Sequence, residues 1–235
     1  MPGAVPVQRQ ALLLRSVDFR DRDRILTLLT REQGKLSAIA RGARGSRRRF
    51  VGLEPFCVLD IELAQGRGDL HRLQSSTVRR AFPELLRSLD GITRAGQAVE
   101  LVRDLTVPLQ AEPELFDLLV LFFESIGADG GCEVTLLEMK ARALAIAGLF
   151  PSLNHCALCR RPAPEARPAL FDPRSDGIVC RACGGGSLRL GAATRASLRA
   201  LFGRRPFAQQ PFAEAEAPEV RELLRALGDR HLRRR

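Results

Sequence analysis

The chain of 235 residues is predicted to be an α+β protein. A small five-stranded barrel comes first. A helical domain follows, with a four-cysteine metal element inserted into it. Three observations carry this prediction. Short alternating runs separated by glycine turns fill residues 8–76. Beyond them apolar residues recur at helical spacing. Two Cys-x-x-Cys pairs, Cys156/Cys159 and Cys180/Cys183, stand twenty residues apart. The expected domains are 1–78 and 79–235, the second including a metal element over 151–186.

Five strands are expected: Ala11–Val17, Ile25–Thr30, Leu36–Ala40, Phe56–Ala64 and Leu70–Gln74. The fourth alternates most cleanly. Cys57, Leu59, Ile61 and Leu63 share one face, which can turn to a core, while Asp60 and Glu62 lie on the wet face. Five short strands joined by glycine turns fit a closed or partly open barrel, which leaves few unpaired edges.

The connection between the third and fourth strands reads RGARGSRRRF. Arg41, Arg44, Arg47, Arg48 and Arg49 lie in nine residues, interleaved with Gly42, Gly45 and Ser46. Glycine lets a backbone approach a ligand, and the guanidinium fork matches a phosphate. Contact with a nucleic-acid backbone is therefore expected here, with Arg15 and Lys35 as further members. Phe50 and Phe56 are candidates for a base-stacking face. Asp18 to Arg24 alternates in sign and reads as a salt-bridged surface turn.

Helices are expected over Phe82–Leu89, Ile92–Leu105, Glu112–Ile126 and Val134–Leu149. After the metal element, Thr194 is a candidate cap for a helix over Arg195–Phe202. A last helix runs from Pro218 to Leu227, with Gly228 as its stop. Arg195, Arg199, Arg204 and Arg205 are expected to add a second basic surface.

The cysteine spacing is that of a structural site for one Zn2+ held by Cys156, Cys159, Cys180 and Cys183. Each short pair bends around one ion, and the long return closes the shell. Four thiolates leave no open position for a reacting group. His155 adjoins the first cysteine and is an alternative ligand.

Basic residues outnumber acidic ones, 37 to 27, giving a net charge of +10. Only Lys35 and Lys140 are lysines. Such a balance favours nucleic acid or an acidic protein partner. The start of the chain has no signal-peptide pattern and no apolar run is long enough for a bilayer, so a soluble, reducing compartment and no membrane partner are expected. The three histidines are scattered, and no phosphate loop or dinucleotide fingerprint appears. Binding is expected, with no catalytic residues.

The stretch from Asp23 to Arg44, DRILTLLTREQGKLSAIARGAR, strongly resembles the RecO family of bacterial recombination mediators. So do Leu53-Glu-Pro-Phe56 and Gly66-Arg-Gly-Asp-Leu70. The four-cysteine element matches the zinc-bearing members. The resemblance implies an N-terminal OB-fold barrel and a C-terminal helical domain carrying the zinc element. It implies binding of single-stranded DNA and double-stranded DNA, annealing of complementary strands, and partnership with RecR. It also implies contact with the C-terminal tail of single-strand-binding protein, indirect help in loading RecA, and a cytoplasmic, nucleoid-associated location. The sequence departs from the family at Asp18-Phe-Arg-Asp-Arg22, where many relatives read closer to Asp-Tyr-Gly-Glu. An alternative reading is a protein–protein adaptor whose arginine face takes an acidic tail, with DNA contact incidental.

Overall fold

A computed structural model describes residues 7–46, 48–127 and 130–232. Five strands, β1 (Val7–Phe19), β2 (Asp23–Thr30), β3 (Gly34–Ala40), β4 (Cys57–Arg67) and β5 (Leu70–Ala81), form a closed barrel in the order β1-β2-β3-β5-β4. All neighbours are antiparallel except β3 and β5, where Ser37 pairs with Leu70. The ring closes through β1 and β4, with Ala11 opposite Leu59. β1 and β5 are longer than the alternation predicts, because backbone pairing continues beyond the expected runs, from Val7 opposite Leu63 to Phe19 opposite Asp23 in β1 and on to Ala81 opposite Cys57 in β5.

The alternation on β4 holds. Leu59, Ile61 and Leu63 enter a core with Ala11, Leu13, Leu26 and Leu28. Each fully buried leucine contributes about 1.5–3 kcal/mol. The outer face of the barrel is also partly apolar: Leu12, Leu14, Leu29, Phe56 and Val58 are buried, though none belongs to the interior cluster. A bulge between Leu13 and Arg15 leaves Leu14 as the extra residue of β1.

Two helices cover that outer face. α1 (Leu89–Leu105) contacts β1, and α2 (Pro113–Ile126) contacts β2. Phe123 of α2 meets Phe56 and Phe82 edge to face, with centroids 5.6 and 5.4 Å away. Arg31 reaches Asp117 by two bonds of 3.0 and 2.9 Å, and Arg80 pairs with Glu124. The polar face of α2 thus clasps barrel arginines. The expected helix Phe82–Leu89 is instead one 3-10 turn, Leu85–Arg87. Ser88 then adopts an extended conformation and caps α1, its hydroxyl accepting from Gly91 N at 3.3 Å.

The β2–β3 turn depends on Gly34. Its φ of +72° is left-handed, and an added Cβ would lie 1.7 Å from the carbonyl oxygen of Gln110. Thr30 closes the turn, its hydroxyl donating to Gly34 O at 3.0 Å and accepting from Gln33 N at 3.1 Å.

The chain divides into two compact units, the first extending to Gly130 and the second starting at Gly131. α1 and α2 therefore belong with the barrel, downstream of the change from strand to helix near residue 79. The second unit holds α3 (Glu133–Ile146), a three-stranded sheet, α4 (Ala192–Leu201) and α5 (Ala217–His231). The sheet, β7-β6-β8, comprises Ala169–Asp172 (β6), Gly177–Ile178 (β7) and Leu188–Leu190 (β8). Phe171, Ile178 and Leu190 of the sheet are buried, as is Val179 just beyond β7.

Two departures concern helix ends. Thr194 lies inside α4, whose cap is Gly191. The acceptor at this helix start is distant: Glu219 of α5 takes both the Gly191 N–H and the Thr194 hydroxyl, each at 2.6 Å. A carboxylate there also suits the positive end of the helix dipole. α5 continues through Gly228 to His231, since glycine lowers helix stability without forbidding it. No helix among the described residues is long and apolar enough to cross a membrane.

Candidate functional site

The metal centre is built from two tight turns. In the first, Cys156 N–H donates to Arg161 O and Arg160 N–H returns to Cys156 O, both at 2.9 Å, with Arg160 at φ +60°. In the second, Cys183 N–H donates to Cys180 O at 2.9 Å and Gly184 takes φ +106°. A bond from Ala157 N–H to Ile178 O at 2.8 Å ties the first turn to the strand leading into the second.

The four sulfur atoms all lie within 4.8 Å of one another. Cys159 and Cys180 are 3.8 Å apart. Tetrahedral zinc with Zn–S bonds of about 2.3 Å requires S···S edges of about 3.8 Å, so the spacing fits that ion. His155 is not in the group. Backbone N–H groups of Cys159 and Cys180 point at Cys156, one at 3.4 Å, and hold its thiol down at about 6. The neighbouring thiols of Cys180 and Cys159 push Cys183 up to about 12. One thiolate forms readily while a second resists ionisation beside it. A dication removes that conflict, and the cluster can coordinate a metal.

The arginine loop spans 41–56 and packs against the β1–β2 turn. Gly42, at φ +71°, donates its N–H to the Asp23 carboxylate at 2.8 Å. Arg44 N–H bonds Arg22 O at 3.1 Å, and its guanidinium lies 3.7 Å from Asp18. Asp18 also meets Arg24 at 3.3 Å, so the alternating turn is salt-bridged as expected. The far end of the loop is stitched to β5, with Arg49 and Val51 bonded through their backbones to Ser76.

Arg15, Arg41, Arg44, Arg48 and Arg49 are all exposed. Arg49 stacks over the Phe50 ring at 4.5 Å and donates to Arg41 O, which orders the loop from within. Arg47 lies outside the described residues. Arg15 borders a groove of about 930 Å³ on β1 and α1. That groove mixes charges evenly, taking Arg24 and Arg103 along with Asp18, Glu54 and Glu100.

Four expectations are corrected. Phe50 and Phe56 offer no stacking face: Phe50 is 6% exposed inside the barrel core and Phe56 is 8% exposed against Phe123. Lys35 is half-buried and its ammonium donates to Arg103 O at 2.7 Å, near the negative end of α1, so it braces the fold. Arg195 is not on a surface. It is 1% exposed and donates to the carbonyls of Leu153, Pro164 and Arg167 at 2.8, 2.9 and 2.6 Å. Arg199 is half-buried and paired with Glu165. Asp23 escaped the sequence reading, since its loop partner lies nineteen positions away and no local pattern marks the bond.

Comparison with known proteins agrees along the whole chain. The family model for the N-terminal part of recombination protein O matches residues 5–82, and that for its C-terminal part matches residues 86–235. The chain is similar to the DNA repair protein RecO of Anaeromyxobacter sp. (strain K), 42% identical over 97% of this chain and 92% of the relative. The DNA repair protein RecO of Myxococcus xanthus is 40% identical over 96% of this chain and 92% of its own length. That of Geobacter sulfurreducens is 35% identical over 97% and 94%. With the closed barrel, the helices and the four-cysteine cluster, these matches place the chain in the RecO family of non-catalytic DNA repair and recombination mediators.

Proposed function

We propose that this protein binds single- and double-stranded DNA through the loop after β3 and anneals complementary strands. The observation that carries this reading is the exposure of Arg41, Arg44 and Arg48 on a loop anchored at both ends. Guanidinium groups there neutralise phosphates and release counterions. Two strands then approach with less repulsion, and base pairing supplies the selectivity. Arg49 orders the loop as well as adding charge, while Arg15 and Arg47 extend the contact.

Membership of the RecO family supports the wider role. The protein acts with RecR and the C-terminal tail of single-strand-binding protein, and helps RecA load onto covered DNA. It works in the cytoplasm, at the nucleoid. One structural Zn2+ is held by Cys156, Cys159, Cys180 and Cys183, and metal analysis is expected to find one zinc per chain. The ion supplies cross-linking of the two turns and no reaction.

Annealing of complementary fluorescent oligonucleotides tests this reading. The wild type accelerates pairing at low salt, and Arg41→Gln/Arg44→Gln/Arg48→Gln removes most of that acceleration. A wild type that binds an acidic tail but never nucleic acid at low salt contradicts it and favours the adaptor.

A further inference from the structure

The metal element carries a second arginine cluster unrelated to the barrel loop. A cleft of about 770 Å³ opens beside Cys156 and Cys180. Its arginines come from three segments: Arg161 and Arg167 from the loop before β6, Arg181 from the second cysteine turn, and Arg189 from β8. All four are exposed. Arg161, Arg167 and Arg181 make no ion pair among the described residues, and Arg189 has only a loose one, 3.8 Å from Glu219. Among the described residues no carboxylate lines the cleft. This is the opposite of the charge-balanced groove on β1 and α1.

The walls between the arginines are apolar and stiff. Pro162, Pro164 and Pro168 alternate with alanines, and Leu170, Ile178 and Val179 complete the lining. Buried Arg195 fixes this loop from beneath by holding the carbonyls of Pro164 and Arg167. Arg199 pairs with Glu165 and so engages the one carboxylate of the loop. The backbone that carries Arg167 is thus fixed beside an apolar wall, which lowers the ordering cost of binding.

We infer that this cleft binds a single-stranded nucleic-acid segment, phosphates on the arginines and an unpaired base on the proline and leucine wall. A concave apolar wall suits an unstacked base, whereas a duplex shields its bases and presents phosphates alone. The inference rests on the proposed DNA-binding role and adds a second, strand-selective contact remote in sequence from the barrel loop. Annealing then has two holds: one indifferent to strandedness and one preferring the unpaired strand.

The test uses the full-length, zinc-loaded chain with a fluorescent oligothymidine and a duplex of equal length, titrated across salt. Arg161→Gln/Arg167→Gln/Arg181→Gln is expected to weaken oligothymidine binding by about tenfold. It should also lower the single-strand salt slope by about 2, from three contacts at about 0.7 each, while changing duplex affinity by less than about threefold. A triple Lys variant keeps the charges and retains most of the slope, which separates charge from folding. Unchanged single-strand affinity in the Gln variant overturns the inference, including where that variant also loses zinc. Loss of affinity in the Lys variant to the same extent also overturns it, as does polyglutamate binding at the cleft that oligothymidine fails to compete. A wild type that binds no DNA sinks the parent reading, whereas weakening confined to the barrel variant sinks only the cleft.

Discussion

The barrel loop and the cysteine-bearing unit use the same residue type in opposite ways. Arg44 stands exposed above a loop ordered by Asp23 and touches its own fold through weak surface pairs. Arg195 is 1% exposed and its two terminal nitrogens donate to main-chain carbonyls. One arginine leaves its charge available to a partner, and the other replaces secondary structure as the partner of a proline-rich loop. A count of basic residues cannot distinguish them. The burial and the acceptors around each guanidinium do.

The largest expected effect separates the two regions by metal. Chelating the zinc proposed at the four cysteines, or Cys180→Ala, should cost the second unit several kcal/mol, at least about 3, given about 10–16 kcal/mol for zinc-dependent peptides. Native-state hydrogen exchange checks this. Protection should fall at Phe171 and Val179 and persist at Leu28 and Ile61 in the barrel. Equal loss in both regions breaks the comparison.

Next comes the contrast between arginines. Arg195→Met keeps the bulk but strips the partners from three carbonyls, at about 1–3 kcal/mol per buried orphan, so a total loss of about 3 kcal/mol is expected in denaturant melts. Arg44→Gln should change stability by less than about 0.5 kcal/mol. If the two variants melt alike, the division of roles is wrong.

The smallest effect concerns the turn between β1 and β2. Arg20 adopts φ +54° at the turn between β1 and β2. A left-handed non-glycine residue costs about 1–2 kcal/mol, and glycine loses about 0.5–1 kcal/mol in chain entropy. Arg20→Gly should therefore raise stability by about 0.5 kcal/mol in the same melts. A loss would show that the Arg20 side chain does more than stack at 5.1 Å on Phe19.

Much of this was legible in the sequence because the patterns were local. Alternation on β4 and the glycine at the β2–β3 turn announced a barrel, and the paired cysteines announced the metal cluster. Long-range partners were not legible. The capping of α4 by Glu219, the bond from Asp23 to Gly42, and the burial of Arg195 all join residues nineteen or more positions apart. Phe50 and Phe56 misled for a related reason: both faces of the barrel wall are apolar, so aromatic residues beside the arginines turn inward or under α2. The helix after Phe82 failed because Ser88 caps the next helix in an extended conformation, which interrupts a continuous helical pattern.

The proposed contact sets exposed arginines between β3 and β4 against DNA phosphates. Its most direct test is the salt dependence of duplex binding by the wild type and by Arg41→Gln/Arg44→Gln/Arg48→Gln/Arg49→Gln. Each lost phosphate contact flattens the slope of log affinity against log salt by about 0.9, so a slope shallower by about 3–4 and uniform weakening across sequences are expected. An unchanged slope with unchanged affinity would contradict it.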